Sequence, residues 1–466
     1  MNTFEYNYWS LYFDFLKTFE EIKLGRFPIS LYFDFYQLTI AHSKFKEMLL
    51  DESLSNSFQY KINDELPLQT QFDEYLLKWS TKKSNKKFQN GYAVFYDNHL
   101  RIPYQNYLKY NQTFKTVLLK GGMKINKVNY PFKVIYLHEY SEDIEQHILE
   151  INNQIKKVLA TINNHPIFGK RIFQENLLKE IPKIIYAIIS TRNLFNAVPV
   201  RTVILGQTAQ PESKALALTA LELGIPTICL QHGIIALEFG YLPVLTNYLA
   251  VYGKYEFEWY KNKGVSEHRI KKIGAPTFDY IFKQQSKVKR RVKKVFNIDL
   301  NKKTILIICH HKKFREVDFI LSKLTTLKGI NIIIKPRGNR VKIKKILNKY
   351  PKIINTKNIS LYEIFHTTDI VISYESTVVL EAMLAKKTVF VWTSNEASKT
   401  NYFEGLDSFF YNDISIISNN VVEYLFDDSL MKKTKEINSE FITYRYSYPL
   451  NKSSERLREL INSINE

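Results

Sequence analysis

The sequence predicts an α/β protein with two doubly wound parallel sheets, and three observations support this fold class. Apolar, strand-like runs alternate with segments whose apolar residues recur every three or four positions. The strand-like runs are continuously apolar, as in strands that helices cover on both faces. A stretch rich in lysine and arginine over residues 283–303 separates two series of such runs. We therefore expect a domain boundary near residues 280–300.

Length, charge and cysteine content narrow the class of protein. The chain has 466 residues, 45% of them apolar, which excludes a peptide hormone or a disordered linker. Its 66 basic and 46 acidic residues give a charge of +20, which favours an acidic substrate or partner. Cys229 and Cys309 lie in apolar runs and predict reduced, buried thiols. With no leader peptide and no apolar span of about 20 residues, we expect a cytoplasmic protein.

The first 90 residues are predicted to form a helical extension. Of the first 50 residues, 14 are aromatic, which is 28% against 14% for the whole chain. This pattern has two open interpretations: a cap packed on a core, or a surface that contacts lipid headgroups. The second interpretation, together with the basic charge, makes the inner face of the plasma membrane a candidate location and an anionic membrane surface a candidate partner.

The first α/β domain is predicted over residues 91–285, with its strands and helices alternating after a β-rich start. The predicted strands cover residues 92–96, 116–119, 133–137, 202–205 and 226–230. The predicted helices cover residues 141–161, 171–193 and 212–223. Such a strand–helix–strand order is typical of a parallel sheet.

The second domain is predicted over residues 286–445, with the same alternation of strands and helices. Its predicted strands cover residues 304–308, 331–334, 370–372 and 388–392. Residues 446–466 are predicted to form a C-terminal helix, for which a return to the first domain is one option.

The clearest chemical signal lies in residues 369–392. A predicted strand ends at Ser373, and Ser376 or Thr377 is expected to cap the helix that follows. The start of this helix is an anion site at the carboxyl edge of the sheet. Glu381 follows one turn after Thr377, about 6 Å along the axis. This spacing fits a phosphate at the helix start and a ribose diol at Glu381. The alternative is that Ser376 and Thr377 are ordinary helix caps and that Glu381 is a solvated helix residue.

Residues 369–392 resemble the nucleotide-binding helix in the second domain of GT-B glycosyltransferases. The resemblance implies that Ser376 and Thr377 hold the donor phosphate and that Glu381 holds the ribose. It also implies two Rossmann-like domains and a transfer that needs no metal ion.

Residues 206–233 are similar to the first domain of bacterial surface-polysaccharide and capsule transferases, which are related to the teichoic-acid (CDP-glycerol) polymerases. Residues 252–253 and 274–279 resemble the segment with which these enzymes leave their first domain. The resemblance covers about residues 200–400, and residues 1–90 lie outside it.

His232 directly follows a predicted strand, so we expect it at the edge of the sheet where ligands bind. An imidazole there can accept a proton from an acceptor hydroxyl or donate to a phosphate. Gly233 permits a close backbone approach, and we expect Gln231 and Gly233 on the acceptor side. Glu212 is the second candidate base. The alternatives are that His232 is a structural histidine and that Glu212 is an acid at a helix N-terminus that complements the helix dipole.

Basic side chains follow two strands of the second predicted sheet. His310, His311 and Lys312 come after the strand 304–308, and Lys335 and Arg337 come after the strand 331–334. They are candidate ligands of the donor phosphates, with a surface role as the alternative. Neighbouring residues at 309–311 lack the spacing of a metal site, so we expect no metal ion and no resident cofactor.

Together these features predict a glycosyltransferase that moves a sugar from a CMP-, UDP- or CDP-linked donor to a bacterial surface glycan of the capsule, lipopolysaccharide or teichoic-acid type. The acceptor would be acidic or lipid-linked. A nucleotide-sugar 2-epimerase of the same architecture is the first alternative. A nucleic-acid-binding protein is the second, but the sequence shows no recognised motif for that partner.

Overall fold

Two separate parallel sheets organise the chain in the computed structural model. The structure describes residues 1–79, 90–122, 130–282, 291–292, 295–296, 298–310, 314–337, 340–356, 359–393 and 400–464. Both sheets have helices packed on their faces, and the predicted fold class is confirmed.

The N-terminal extension buries most of its aromatic residues in the protein interior. Its helices are α1 (Thr3–Thr18), α2 (Phe35–Leu38), α3 (Ser43–Met48) and α4 (Leu68–Leu77). The first turn of α1 is closed by a capping box between Asn2 and Glu5. Tyr8, Trp9 and Phe15 are at most 2% exposed and belong to the same hydrophobic core as the first sheet. These side chains therefore form a cap on that core and present no face to lipid headgroups.

A buried ion pair helps to dock the extension. The indole of Trp9 donates to the carboxylate of Glu238, and the ammonium of Lys263 donates to the same carboxylate. Glu238 is only 3% exposed. Since a buried carboxylate is stable only when it is paired and hydrogen-bonded, these two donors fix α1 against the first domain.

The first sheet has the strand order β3-β2-β1-β4-β5-β6-β7, and all its pairs are parallel. In chain order its elements are β1 (Tyr92–Tyr96), α5 (Tyr104–Asn111), β2 (Thr116–Lys120), β3 (Lys133–Tyr136), α6 (Glu145–Thr161), α7 (Arg171–Ala197), β4 (Val200–Leu205), α8 (Pro211–Glu222), β5 (Thr227–Leu230), β6 (Tyr248–Val251), α9 (Lys254–Asn262) and β7 (Ile270–Lys272). The sequence pattern did not predict β6 and β7.

The second sheet has the order β10-β9-β8-β11-β12-β13, again with parallel pairs. Its elements, with the helices that follow it, are β8 (Lys303–His310), α10 (Phe314–Leu324), β9 (Ile330–Arg337), α11 (Arg340–Lys349), β10 (Ile354–Asn355), α12 (Leu361–Phe365), β11 (Ile370–Tyr374), α13 (Thr377–Leu384), β12 (Thr388–Trp392), β13 (Phe410–Tyr411), α14 (Ile414–Phe426), α15 (Asp428–Arg445) and α16 (Ser453–Ser463).

Each strand order reverses once, and the reversal marks where a ligand can bind. The first sheet reverses between β1 and β4, and the second between β8 and β11. In a doubly wound sheet the crossover helices diverge at this point and leave a crevice outside the carboxyl ends of the strands. The loops after these four strands are therefore the natural walls of a site.

The last helix lies on the first sheet. The amides of Ser453 and Ser454 donate to the carboxylate of Asp279 at 3.1 and 2.8 Å. The hydroxyl of Tyr446 accepts from the amide of Ala275 at 2.8 Å. The apolar face of α16 completes a core cluster with strands of the first sheet. No helix among the described residues is long and apolar enough to cross a membrane.

Replacing Glu238 should destabilise the protein strongly. In Glu238→Ala, the Trp9 indole and the Lys263 ammonium both lose their buried acceptor, which should lower the free energy of unfolding by about 3 kcal/mol. Urea unfolding followed by circular dichroism measures this loss. The matched control is Glu267→Ala, which breaks an exposed pair with Lys261 and should cost less than about 1 kcal/mol. Equal losses in both variants would contradict the docking role.

Candidate active site

The loop after β5 is shaped by the side-chain amide of Gln231. Its nitrogen donates to the carbonyl of Gly233 at 2.8 Å and to the carboxylate of Glu256 at 3.1 Å. Its oxygen accepts from the amide of Tyr252 at 3.0 Å. Burial raises the pKa of Glu256 to about 7. These bonds fix the turn that carries His232. In this structure the side chain of Gln231 therefore stabilises its own loop.

His232 is a half-buried imidazole that is neutral at pH 7. Its ring is parallel to that of Tyr241, with 4.9 Å between the ring centroids. Burial is the main cause that lowers the pKa of His232 to about 4. The nearby His99 and Arg101 also lower it, and a hydrogen bond with the backbone of Gly206 opposes them. A neutral imidazole at the end of a strand can accept a proton.

The loop after β1 places two further polar residues beside His232. His99 and Arg101 adopt φ angles of 61° and 49°, in the left-handed region that few residues other than glycine occupy. A Cβ at Gly206 would lie 2.5–2.6 Å from the backbone of residues 98–100, so glycine permits the loop to press against the end of β4. The ring centroid of His99 lies 5.5 Å from that of His232. Strain of this kind is typical of functional sites.

Arg101 brings a positive charge to the space between the two sheets. Its side chain is exposed, and its charge acts on His232 and Tyr241 in the first domain and on Tyr362 in the second. Sequence patterns do not predict a site role for four of these residues, His99, Arg101, Tyr241 and Tyr362. The useful signal for the first two is their position after β1, next to the reversal of strand order.

The start of α13 meets the loop after β5. The hydroxyl of Thr377 accepts from the amide of Ile234 at 3.1 Å, and a Cβ on Gly233 would lie 2.9 Å from that hydroxyl. Ser376 is the N-cap residue, but its buried hydroxyl has no hydrogen-bond partner among the described residues. The predicted cap position is therefore confirmed at Ser376, but its side chain makes no capping hydrogen bond. A buried, unsatisfied hydroxyl at a helix start suits an anion.

Glu381 lies one turn further along α13 and is only 4% exposed. The hydroxyl of Tyr362 donates to its carboxylate and also has a hydrogen bond with Thr277. Burial and the neighbouring carboxylate hold the pKa of Tyr362 well above its usual value. Because Glu381 is buried, the alternative that it is a solvated residue on the helix surface is wrong. The chain of Thr277, Tyr362 and Glu381 joins the two domains.

Glu212 stands at the start of the helix that follows β4. It lies in the first turn of α8, where its charge raises the pKa of Tyr96 and Tyr186. The groups that act on His232 come instead from the loops after β1 and β4. The structure therefore joins His232 with the start of α13 through the β5 loop, and the role of Glu212 as a second base stays a prediction.

Lys335 stands at the carboxyl end of β9, where its ammonium is engaged by backbone oxygens. It donates to the carbonyls of Thr356 and Ile359 at 2.9 and 2.5 Å. These bonds hold the loop after β10 against β9. A contact of Lys335 with a phosphate stays a prediction.

His310 and Arg337 end β8 and β9 and are partners in register. Both residues therefore stand at the same edge of the second sheet, as the sequence pattern predicts, and their contact with a donor phosphate stays a prediction. His311 and Lys312 lie outside the described residues. Among the residues that are described, no group of three or more His, Cys, Asp or Glu could hold a metal ion.

No protein-family model matches the chain, and no curated protein matches it in sequence. Solved structures nevertheless share its fold. The wall teichoic acid polymerase TagF, soaked with CDPG, is 14% identical with a TM-score of 0.52, over 85% of this chain and 92% of TagF. The UDP-GlcNAc 2-epimerase from Neisseria meningitidis, bound to UDP-GlcNAc, is 13% identical with a TM-score of 0.54, over 80% and 99%. These likenesses show a GT-B-like fold.

Removing His232 should flatten the dependence of stability on pH. Because the folded pKa is about 4, below the ordinary value near 6.5, the unfolded chain binds a proton first as the pH falls. The imidazole should therefore lower the free energy of unfolding by about 2 kcal/mol between pH 8 and pH 5. His232→Gln should lose this part of the slope in urea unfolding, whereas His268→Gln, at an exposed site, should keep it. An unchanged slope in His232→Gln would contradict a buried neutral imidazole.

Proposed function

We propose that the chain is a glycosyltransferase that moves a sugar from a nucleotide-activated donor to a bacterial surface glycan. The observation that carries the proposal is the direct contact between the His232 loop and the start of α13, through Ile234 and Thr377. A neutral base and a helix start with an unsatisfied hydroxyl thereby border one cleft. The fold shared with a teichoic acid polymerase supports this assignment.

In the proposed reaction, His232 takes the proton of an acceptor hydroxyl while the hydroxyl oxygen bonds to the anomeric carbon of the donor sugar. The bond between that carbon and the phosphate oxygen breaks, and the nucleotide leaves with the electron pair. Ser376, the first turn of α13 and Arg101 stabilise the negative charge that develops on the phosphate. Glu381 holds the ribose hydroxyls, once Tyr362 yields its hydrogen bond.

A nucleotide-sugar 2-epimerase is the second candidate function. The close pair of His99 and His232, with 5.5 Å between ring centroids, favours it because an epimerase needs more than one acid–base group around one sugar. The fold shared with a UDP-GlcNAc 2-epimerase also supports it. A lipid-linked acceptor and a place at the inner face of the plasma membrane remain predictions that rest on the charge of +20.

Nucleotide binding and product analysis test the proposal. We expect CMP, UDP, CDP or their sugar derivatives to raise the unfolding temperature, and the sugar nucleotide to stay unchanged by NMR until an acceptor is added. An epimerised sugar nucleotide without acceptor would replace the transferase with the second candidate. Gel retardation of DNA or RNA with no nucleotide effect would overturn both.

Two variants separate binding from turnover in the same assays. Glu381→Gln should weaken nucleotide binding about tenfold, because a charged hydrogen bond to the ribose is lost. His232→Gln should lower turnover about 100-fold or more at nearly unchanged nucleotide affinity, because the base is lost. Glu440→Gln, on an exposed part of α15, is the control and should change neither quantity.

The substitution Arg101→Gly should stabilise the fold and reduce turnover. Arg101→Gly relieves a left-handed backbone and should raise the free energy of unfolding by about 0.5–1 kcal/mol, but it removes the cation from the cleft and should lower turnover at least tenfold. Lys386 has a φ of 58° after α13, so Lys386→Gly also loses a charge and a strained residue. It should gain stability and keep its turnover. Equal turnover in both variants would remove Arg101 from the site.

A further inference from the structure

An open cavity of about 340 Å³ lies between the N-terminal extension and the loop after β5. Asp34, Tyr36 and Gln37 line it from the extension, and Phe239 and Tyr241 line it from the loop. Its volume is at the lower end of the range for small-ligand sites, roughly 300–1,000 Å³. The residues that line this cavity do not include His232, Ser376 or Thr377.

Contacts within the extension and across to the loop hold the walls of the cavity, so the cavity is preformed. The carboxylate of Asp34 accepts from the amide of Gln37 at 3.2 Å and begins α2. The ring of Phe239 lies 6.4 Å from that of Tyr36 and 4.4 Å from that of Tyr8, which is buried in the core of the extension. A preformed site loses little entropy when a ligand binds.

Tyr241 joins the cavity to the candidate base. Its ring is stacked on His232, and its hydroxyl donates to the carbonyl of Ile234 at 2.9 Å. The amide of the same Ile234 donates to Thr377 at the start of α13. One loop therefore borders the cavity, carries the base and contacts the start of α13, so an acceptor sugar in the cavity would lie beside both the base and the anion site.

The side chains of the wall suit a neutral sugar ring. Aromatic faces carry negative charge that attracts the C–H groups on one side of such a ring. The carboxylate of Asp34 accepts hydroxyl hydrogens, and the amide of Gln37 can donate and accept. Asp34 also repels phosphate and carboxylate groups, although the nearby ammonium of Lys214 offsets part of its charge. An anionic lipid headgroup therefore fits this wall less well than an uncharged sugar.

We propose that the N-terminal extension forms, with the loop after β5, a subsite for a neutral sugar ring of the acceptor glycan. Tyr36 supplies the stacking face, and Asp34 and Gln37 bind the ring hydroxyls. Sugar binding is a property of the cavity itself, and its role in acceptor recognition rests on the proposed function.

Saturation-transfer-difference NMR on the full chain without nucleotide tests the subsite. The probes are the methyl glycosides of glucose, galactose and N-acetylglucosamine, with methyl glucuronide as the anionic comparison. We expect a signal from at least one neutral glycoside and a weaker signal from the glucuronide. Tyr36→Ala and Gln37→Ala should each weaken binding at least fivefold. Gln154→Ala, at an exposed site on α6, should leave binding unchanged.

Three results would overturn the subsite. They are the absence of signal from every neutral glycoside, unchanged binding in the Gln37→Ala variant, and stronger binding of the glucuronide. Vesicles that contain polyprenyl phosphate provide a fourth test, because their loss of binding in Tyr36→Ala would assign the cavity to a lipid. Gln37 is exposed, so its variant remains informative if Tyr36→Ala fails to fold.

Failure of the subsite and failure of the proposed function give different results. Glycoside binding that disappears in Tyr36→Ala, in a chain that binds no nucleotide, would keep the sugar subsite and reject the transferase. Nucleotide-dependent transfer with full activity in Tyr36→Ala and Gln37→Ala would keep the transferase and reject the subsite.

Discussion

The three hydrogen bonds of the Gln231 amide are the constraint on which the cleft depends. They tie the turn after β5 to its own carbonyl at Gly233, to the buried Glu256 and to the backbone of Tyr252. This turn carries both His232 and Ile234, so one side chain sets the position of the candidate base and of the link to the second sheet. An amide satisfies all three partners because it both donates and accepts.

The chemistry of the cleft arises from unequal burial of its charged and neutral groups. His232 is shielded by Tyr241 and stays neutral, whereas Arg101 is exposed and keeps its charge at the mouth of the same space. Backbone strain at His99 and Arg101 is tolerated because Gly206 lets their loop pack against β4.

The fold class could be predicted because the long central strands are continuous apolar runs. The edge strands β10 and β13 have two residues each and β7 has three, too few for a pattern. β6 has four residues, as many as the predicted β5, and its length does not explain why it was missed. His232 could be placed because it directly follows a strand. His99 and Arg101 could not, since a left-handed backbone is imposed by tertiary packing. Burial of Glu381 likewise depends on Tyr362, which is distant in sequence and invisible to helix periodicity.

The position of α16 has a consequence for the order in which the protein forms during translation. The ribosome makes the strands of the first sheet before those of the second, yet the helix that covers part of the first sheet is made after both. Apolar residues around Phe95 and Ile204 therefore stay uncovered while the second domain is synthesised. The first domain reaches its final form last, and a nascent chain halted before α16 would expose a patch for chaperones to recognise.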